Sequence, residues 1–160
     1  LLAQHWAGAG EWAEAAASWH AAAAAARRAG RLLEWETLLE QAASACEREG
    51  DTAGRFDALR QALSAAMVRQ GSQIALQRLD DVLQPLAHTD EQRTGLLVLR
   101  VEALLNLGRF ADALAPAEEA ERLAPPNSAL HADAVALLGS TLALSGQAAT
   151  AAQRLQLAVG

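Results

Sequence analysis

The sequence predicts an all-α fold, and composition is the first observation that supports this. Hydrophobic residues make up 52% of the 160-residue chain, but much of this fraction is alanine and only 4% is aromatic. Alanine is the strongest helix former because it loses no side-chain entropy on folding. Residues that favour strands are scarce, and tyrosine is absent. We therefore expect helices alone, about nine of them.

Glycine spacing is the second observation. Breaks that would join the two helices of a hairpin occur at Gly30, Gly71, Gly108 and Gly146, which by subtraction lie 41, 37 and 38 residues apart. A helix pair of this length cannot bury its hydrophobic face alone, whereas stacked pairs share one continuous core. An antiparallel helical solenoid is the simplest arrangement that satisfies this pattern.

The first half of the chain shows clear helix ends. The expected segments are a helix end at 1–7 and helices at 11–29, 31–49 and 52–70. Arg27 and Arg28 fall in the last turn of the second segment, where cations suit the negative helix end. Gly30 can stop that helix in a left-handed conformation, and Asp51 can cap the fourth segment.

The second half continues the pattern with helices expected at 72–84, 90–107, 109–123, 128–145 and 147–159. Thr89 and Gln92 have the spacing of a capping box. Pro116 lies well inside its helix, where it removes one backbone hydrogen bond and predicts a bend. We expect one domain built from the pairs 11–49, 52–84, 90–123 and 128–159. The chain begins without methionine, so we expect it to be part of a longer protein.

Charge and apolar runs limit the classes of partner. The formal net charge is −6, and all thirteen basic residues are arginine, so we expect no direct binding of nucleic acid by this module. The run Ala21–Ala26 is far shorter than the roughly 20 apolar residues of a membrane span. Cys46 is the single cysteine, which leaves no intramolecular disulfide and favours a reducing, cytoplasmic location.

Large residues, small residues and a closing proline alternate over residues 97–125, at Leu97, Leu104, Gly108, Phe110, Ala113, Ala120 and Pro125. This pattern resembles a tetratricopeptide repeat (TPR). The following pair agrees through Leu138 and Gly139, whereas the earlier pairs depart from it. Trp35 stands where a small residue is expected, and Asp80 stands where an aromatic one is expected. The resemblance implies a right-handed solenoid with a concave surface that binds proteins.

The opening residues 3–31, AQHWAGAGEWAEAAASWHAAAAAARRAGR, show a second similarity. They resemble the start of the helical-repeat arm of bacterial signal-transduction ATPases and related transcriptional regulators. The resemblance implies a regulatory or sensing module whose nucleotide chemistry lies outside this chain.

Motifs for catalysis or cofactor binding are weak. Residues 8–13 match GxGxxA, but a dinucleotide site needs a preceding strand, and here a helical pattern precedes. The histidines, at His5, His20, His88 and His131, lack metal-ligand spacing. Carboxylates near Cys46 should raise the pKa of its thiol, which favours a core or boundary role. We expect no enzyme, no cofactor and no metal.

Four tryptophans cluster in the first 35 residues, at Trp6, Trp12, Trp19 and Trp35. At helical spacing tryptophans favour a core role, and a ligand platform is the alternative.

The solenoid would place the first helix of each pair along the concave surface. The expected partner-binding residues are His20, Arg27, Arg28, Gln61, Arg69, Glu102, Asn106 and Ser140, with small residues such as Ala65 between them. Arg27, Arg28 and Arg69 would make the early half positive and suit an acidic peptide or a carboxylate. Alternatively, these arginines only complement helix C-termini.

The main functional expectation is a non-enzymatic scaffold that binds a peptide, a partner protein or a neighbouring domain of its own chain. A self-association module, such as a homodimer, is the alternative because exposed apolar residues at the ends of a solenoid favour association. The residues concerned are Leu1, Leu2, Trp6, Leu155, Leu157 and Val159. A helical-bundle enzyme is a remote third reading that no motif supports.

Overall fold

The fold is helical throughout the part of the chain that the computed structural model describes, residues 2–146. This range contains eight α-helices. They are α1 Leu2–Ala9, α2 Trp12–Arg28, α3 Leu32–Glu49, α4 Thr52–Gln70, α5 Ser72–Arg78, α6 Asp90–Asn106, α7 Phe110–Leu123 and α8 Ala129–Leu144. The all-α prediction is confirmed. The helix expected at 147–159 lies outside the described residues.

The chain forms two compact units, Leu1–Leu86 and Ala87–Gly160. In the first unit α1 packs against α2, α2 against α3, α3 against α4, and α4 against α5. In the second unit α6 packs against both α7 and α8, and α7 packs against α8.

Helices α2 and α3 run antiparallel, as two contacts at opposite ends of the pair show. The Arg27 guanidinium carbon, in the last turn of α2, lies 5.2 Å from the ring centre of Trp35 in the first turn of α3. The Arg48 guanidinium carbon, in the last turn of α3, lies 4.4 Å from the ring centre of Trp12 at the start of α2. The predicted helical hairpin is therefore present here.

Helices α3 and α4 repeat this arrangement with ion pairs in place of ring contacts. Arg55 in the first turn of α4 contacts Glu47 near the end of α3 at 2.9 Å. Arg69 near the end of α4 contacts Glu36 near the start of α3 at 2.7 Å. Opposite ends therefore meet again, so α3 lies antiparallel to both of its chain neighbours.

The core of the first unit combines alanines with a few large side chains. Trp35 and Leu39 of α3 pack against alanines of α2 and α4, among them Ala26 and Ala62. Small side chains allow helix axes to approach closely and leave room for the indole. The expectation that Ala65 is exposed on a concave surface is wrong, because Ala65 is fully buried in the same cluster.

Local hydrogen bonds end and begin the helices much as the sequence predicts. Gly30 has φ +69°, and the Arg31 N–H donates to the carbonyl of Ala26 at 2.9 Å, which forms a Schellman turn. Thr89 and Gln92 form the predicted capping box. Because these bonds join residues close in sequence, the local pattern was sufficient to predict them.

The helix expected at 72–84 differs in its second half. The α-helix ends at Arg78 and continues as a π turn over Leu79–Leu83, in which the Gln84 N–H donates to the carbonyl of Leu79. A short 3₁₀ turn over Gln84–Leu86 follows and contains Pro85, whose ring excludes a regular α-helix across that point. In contrast, α7 continues through Pro116.

Candidate partner-binding site

The turn between α2 and α3 carries an exposed pair of arginines. Arg27 and Arg28 occupy the last turn of α2, and both are exposed. Arg27 lies over the Trp35 ring. Stacking of this kind engages the flat face of a guanidinium and leaves its N–H edge for an acceptor. The pair therefore presents donors to solvent at one end of the α2–α3 hairpin.

Most of the described arginines already have a carboxylate partner. The ion pairs are Arg31–Glu34, Arg55–Glu47, Arg60–Asp57, Arg69–Glu36, Arg78–Glu36, Arg93–Asp90, Arg109–Asp112 and Arg122–Glu119. Within residues 2–146, Arg27, Arg28 and Arg48 have no carboxylate at ion-pair distance. Their charge is therefore open to an anion from outside the chain.

A shallow, largely apolar cleft of about 500 Å³ lies at the start of α3, which follows the arginine pair in the chain after the short turn 29–31. Its lining residues are Arg31, Leu32, Leu33, Glu34, Thr37 and Leu38. Leu33 is 60% exposed and adds apolar surface to this cleft. Arg31 is held by Glu34 at 3.1 Å on the surface. Basic and apolar features thus lie together at this turn, which we call the α2–α3 turn surface.

A buried carboxylate links three helices elsewhere in the first unit. Glu36 of α3 is only 3% exposed. Arg69 donates to it from Nε at 2.8 Å, and Arg78 donates from Nη1 at 2.7 Å. Gln70 adds a bond from Nε2 at 3.1 Å. A buried carboxylate needs such donors because removal from water destabilises an isolated charge.

The surroundings of Glu36 determine its protonation. Burial acts to raise the pKa of this carboxyl, but hydrogen bonds and charges from Arg69 and Arg78 outweigh burial and lower the pKa below its ordinary value of 4.5. Glu36 is therefore ionised at neutral pH. Sequence analysis missed it, although its position four residues after Leu32 on the apolar face of α3 was a usable signal.

The groove residues predicted in the first unit have mixed environments. His20 is half-buried. Gln61 is half-buried and donates to Asp57 at 2.7 Å. Arg69 retains 34% side-chain exposure, but its guanidinium is committed to Glu36. Arg27 and Arg28 are the predicted groove residues in this unit that combine exposure with a guanidinium unpaired to a carboxylate.

The second unit holds the remaining predicted residues. Glu102 of α6 is half-buried, and burial, followed by the nearby charge of Asp133 on α8, raises the pKa of its carboxyl. Asn106 is exposed at the end of α6. Ser140 is exposed and donates to the carbonyl of Ala136 at 2.9 Å. Where the predicted partner-binding residues form side-chain hydrogen bonds or ion pairs, their partners are other residues of the chain and not one another. A common groove therefore stays a prediction.

The remaining polar and apolar features fit a core or surface role. Cys46 is buried, and burial followed by the charge of Asp51 raises the pKa of its thiol, as the sequence analysis expected in direction. Within residues 2–146, no cluster of histidine, cysteine and acidic side chains is placed to hold a metal ion. None of the helices in this range is long and apolar enough to cross a bilayer.

The ends proposed for self-association are only partly described. Leu2 is 61% exposed, and Trp6 is half-buried. The second group of residues, Leu155, Leu157 and Val159, lies outside the described part of the chain. Self-association stays a prediction.

Comparison of the chain with protein-family models, with curated proteins and with solved structures finds no match.

Proposed function

We propose that this chain is a non-enzymatic helical-repeat module of the TPR-like solenoid type that binds an acidic partner. The partner is an acidic peptide segment, carried by another protein or by a neighbouring domain of the same chain. By its resemblance to bacterial regulators, the module serves as a regulatory arm of a larger cytoplasmic signalling protein.

One observation carries this proposal: the exposed and unpaired arginines at the α2–α3 turn surface. Arg28 has no carboxylate at ion-pair distance within residues 2–146, and Arg27 is held in position by Trp35. Both arginines also stabilise the C-terminal end of α2, by about 0.3–1 kcal/mol each. That role needs no partner, but it does not account for the apolar cleft and the exposed Leu33 beside them. An acidic segment with an apolar residue would match both features.

Binding of a fluorescent acidic peptide that contains one leucine, measured by anisotropy, tests the proposal. The peptide carries a C-terminal amide so that its only carboxylates are side chains. We expect the double variant R27Q/R28Q to bind about tenfold more weakly, because each lost charge-assisted contact removes roughly 0.5–1 kcal/mol at an exposed site. Added salt should weaken binding by the native protein through screening.

The variant Arg109→Gln is the matched control, since it removes an exposed arginine of the second unit without changing the α2–α3 turn surface. It should retain the native affinity for the acidic peptide. Equal binding of the acidic peptide and its glutamine analogue, or native affinity in R27Q/R28Q, would contradict the proposed site.

A further inference from the structure

A second cleft lies at the opposite end of the α2–α3 hairpin, where α1 also contributes. Its volume is about 280 Å³. The lining residues are Gln4, Ala7, Trp12, Trp19, Gln41, Ser44, Ala45 and Arg48. Along α2, Trp12 lies about 24 Å from Arg28 and Trp19 about 13 Å from it. Arg48 and Trp12 therefore mark the end of the cleft that is farther from the α2–α3 turn surface.

The arrangement of large and small residues on α2 explains one wall of this cleft. Trp12 and Trp19 are seven residues apart, so they lie on the same side of α2 at a separation of about 10 Å. Between them Ala15 and Ala16 are buried against Ala45 and Cys46, and both indoles pack against this cluster of small residues. Both indoles are only half-buried, and both line the cleft. Two large residues thus flank a base of small residues.

Helix α3 repeats the same pattern on the facing wall. Gln41, Ser44, Ala45 and Arg48 follow the spacing of one helix face, with the two small residues in the middle. Because α2 and α3 are antiparallel, Arg48 meets Trp12 at one end and Gln41 lies toward the Trp19 end. The cleft therefore has an apolar floor at Ala45, aromatic walls and polar groups at its rim.

Arg48 supplies the one charge among the lining residues. Its guanidinium carbon lies 4.4 Å from the ring centre of Trp12, so the flat face is occupied. Its neighbour in sequence, Glu47, is engaged by Arg55 at 2.9 Å. A stacked guanidinium presents its N–H groups at its edge, in a geometry that suits a carboxylate. This edge has no carboxylate at ion-pair distance within residues 2–146.

We propose that this cleft binds a small organic carboxylate with an aromatic or apolar body. The Arg48 guanidinium holds the carboxylate, and the gap between Trp12 and Trp19 takes the body. The rim amides and the Ser44 hydroxyl provide further hydrogen-bonding groups. The volume is close to the lower end of ligand pockets, roughly 300–1,000 Å³, so the ligand is about the size of one aromatic amino acid.

Calorimetry with two matched probes tests the site. N-acetyl-phenylalanine carries the carboxylate, and N-acetyl-phenylalaninamide differs only in replacing it with a neutral amide. We expect the acid to bind about tenfold more tightly than the amide, and Arg48→Gln to remove this preference. The matched control is Arg109→Gln, which removes an exposed arginine of the second unit and should leave the affinity for the acid unchanged.

The indole N–H signals of the protein in a nitrogen-edited NMR spectrum locate the bound probe. Addition of the acid should shift the signals of Trp12 and Trp19 and leave that of Trp35 in place, since Trp35 is buried at the other end of the hairpin. A shift confined to Trp35, equal affinity for acid and amide, or no binding of either probe at millimolar concentration overturns the proposal.

A peptide that ends in phenylalanine with a free carboxylate distinguishes the two sources of this ligand. Tighter binding than N-acetyl-phenylalanine supports the site and assigns the carboxylate to a chain terminus. Equal or weaker binding supports the site and assigns it to a free acid. Because the acidic peptide used above has no terminal carboxylate, failure of the α2–α3 turn surface and failure of this cleft give different results.

Discussion

Glu36 is a buried residue whose hydrogen bonds join α3 to α4 and α5 in the first unit. Its partners come from α4 and α5, 33 to 42 residues later in the chain. The two arginines keep 34% and 40% of their side-chain surface exposed, whereas Glu36 keeps 3%. The carboxylate is thus the desolvated member of the network, and the arginines can be hydrated if it is removed.

We expect Glu36→Gln to lower the free energy of unfolding by about 2 kcal/mol at neutral pH. A neutral amide loses the charge-assisted bonds, but exposure of both arginines keeps the loss below the 3–5 kcal/mol typical of breaking a fully buried pair. Urea denaturation followed by circular dichroism measures this. The control Glu34→Gln removes a surface ion pair of the same helix and should change stability by less than about 1 kcal/mol.

The pKa of Glu36 also predicts how the stability difference between the native protein and Glu36→Gln depends on pH. Because the folded-state pKa of Glu36 lies below 4.5, its stabilisation is present above that value and is lost as pH falls through the folded-state pKa. Native protein and Glu36→Gln should therefore converge in stability in strong acid. A difference that stays constant from neutral pH into strong acid would show that the network is not the cause.

At the scale of single elements, Gly54 shows how a helix start depends on a neighbouring helix. It lies in the first turn of α4, where its N–H donates to the Asp51 carboxylate at 2.9 Å. A β-carbon at this position would collide with that carboxylate and lie 3.0 Å from the sulfur of Cys46. A side chain here would have to displace the capping carboxylate of Asp51 and crowd the end of α3.

We expect Gly54→Ala to destabilise the protein by about 1–2 kcal/mol, although alanine is the better helix former by about 1 kcal/mol. The loss combines a weakened cap with crowding against α3. Gly8→Ala is the matched control, because no atom lies within 4 Å of a β-carbon there and α1 includes this residue. It should leave stability unchanged or raise it by up to about 1 kcal/mol. Thermal unfolding in which both substitutions stabilise would refute the crowding at Gly54.

At the scale of the whole molecule, the chain divides into two compact units, and the first can be asked to fold without the second. The alanine-rich clusters that hold α1 to α4 together, and the complete Glu36 network, lie within residues 1–86. A separate cluster, which includes Ala120 and Ala134, lies within the second unit. The contacts that stabilise the first unit are therefore largely its own.

We expect a fragment of residues 1–86 to fold into a helical unit with a cooperative urea transition. A shorter fragment, residues 1–70, lacks Arg78 and the apolar side chains of α5, so it should be markedly less stable. Circular dichroism of both fragments compares them. A gradual loss of helix in the longer fragment, with no transition, would mean that the first unit needs the second.

The sequence predicts the helices and most of their ends because local chemistry determines both. Alanine content and apolar spacing favour helices, and Gly30, Asp51 and Thr89 act on backbone groups a few residues away. It did not reach the π turn at Leu79–Leu83, whose hydrogen bonding is unusual and has no simple sequence signal. The sequence led us to expect that Arg69 binds a partner. No local pattern shows that the Glu36 carboxylate, 33 residues earlier, lies against its guanidinium.

The sequence by itself determined that the described part of the chain is helical, where most of its helices begin and end, and that arginine carries the positive charge. The tertiary structure decided which arginines pair with internal carboxylates and which have no carboxylate at ion-pair distance within residues 2–146. Packing of α2 against α3 also brought Arg48 to Trp12, 36 positions away in the chain, and left a cleft between two tryptophans. The reason is physical: caps and helical hydrogen bonds act within about four residues, whereas ion pairs and clefts depend on which helix faces meet.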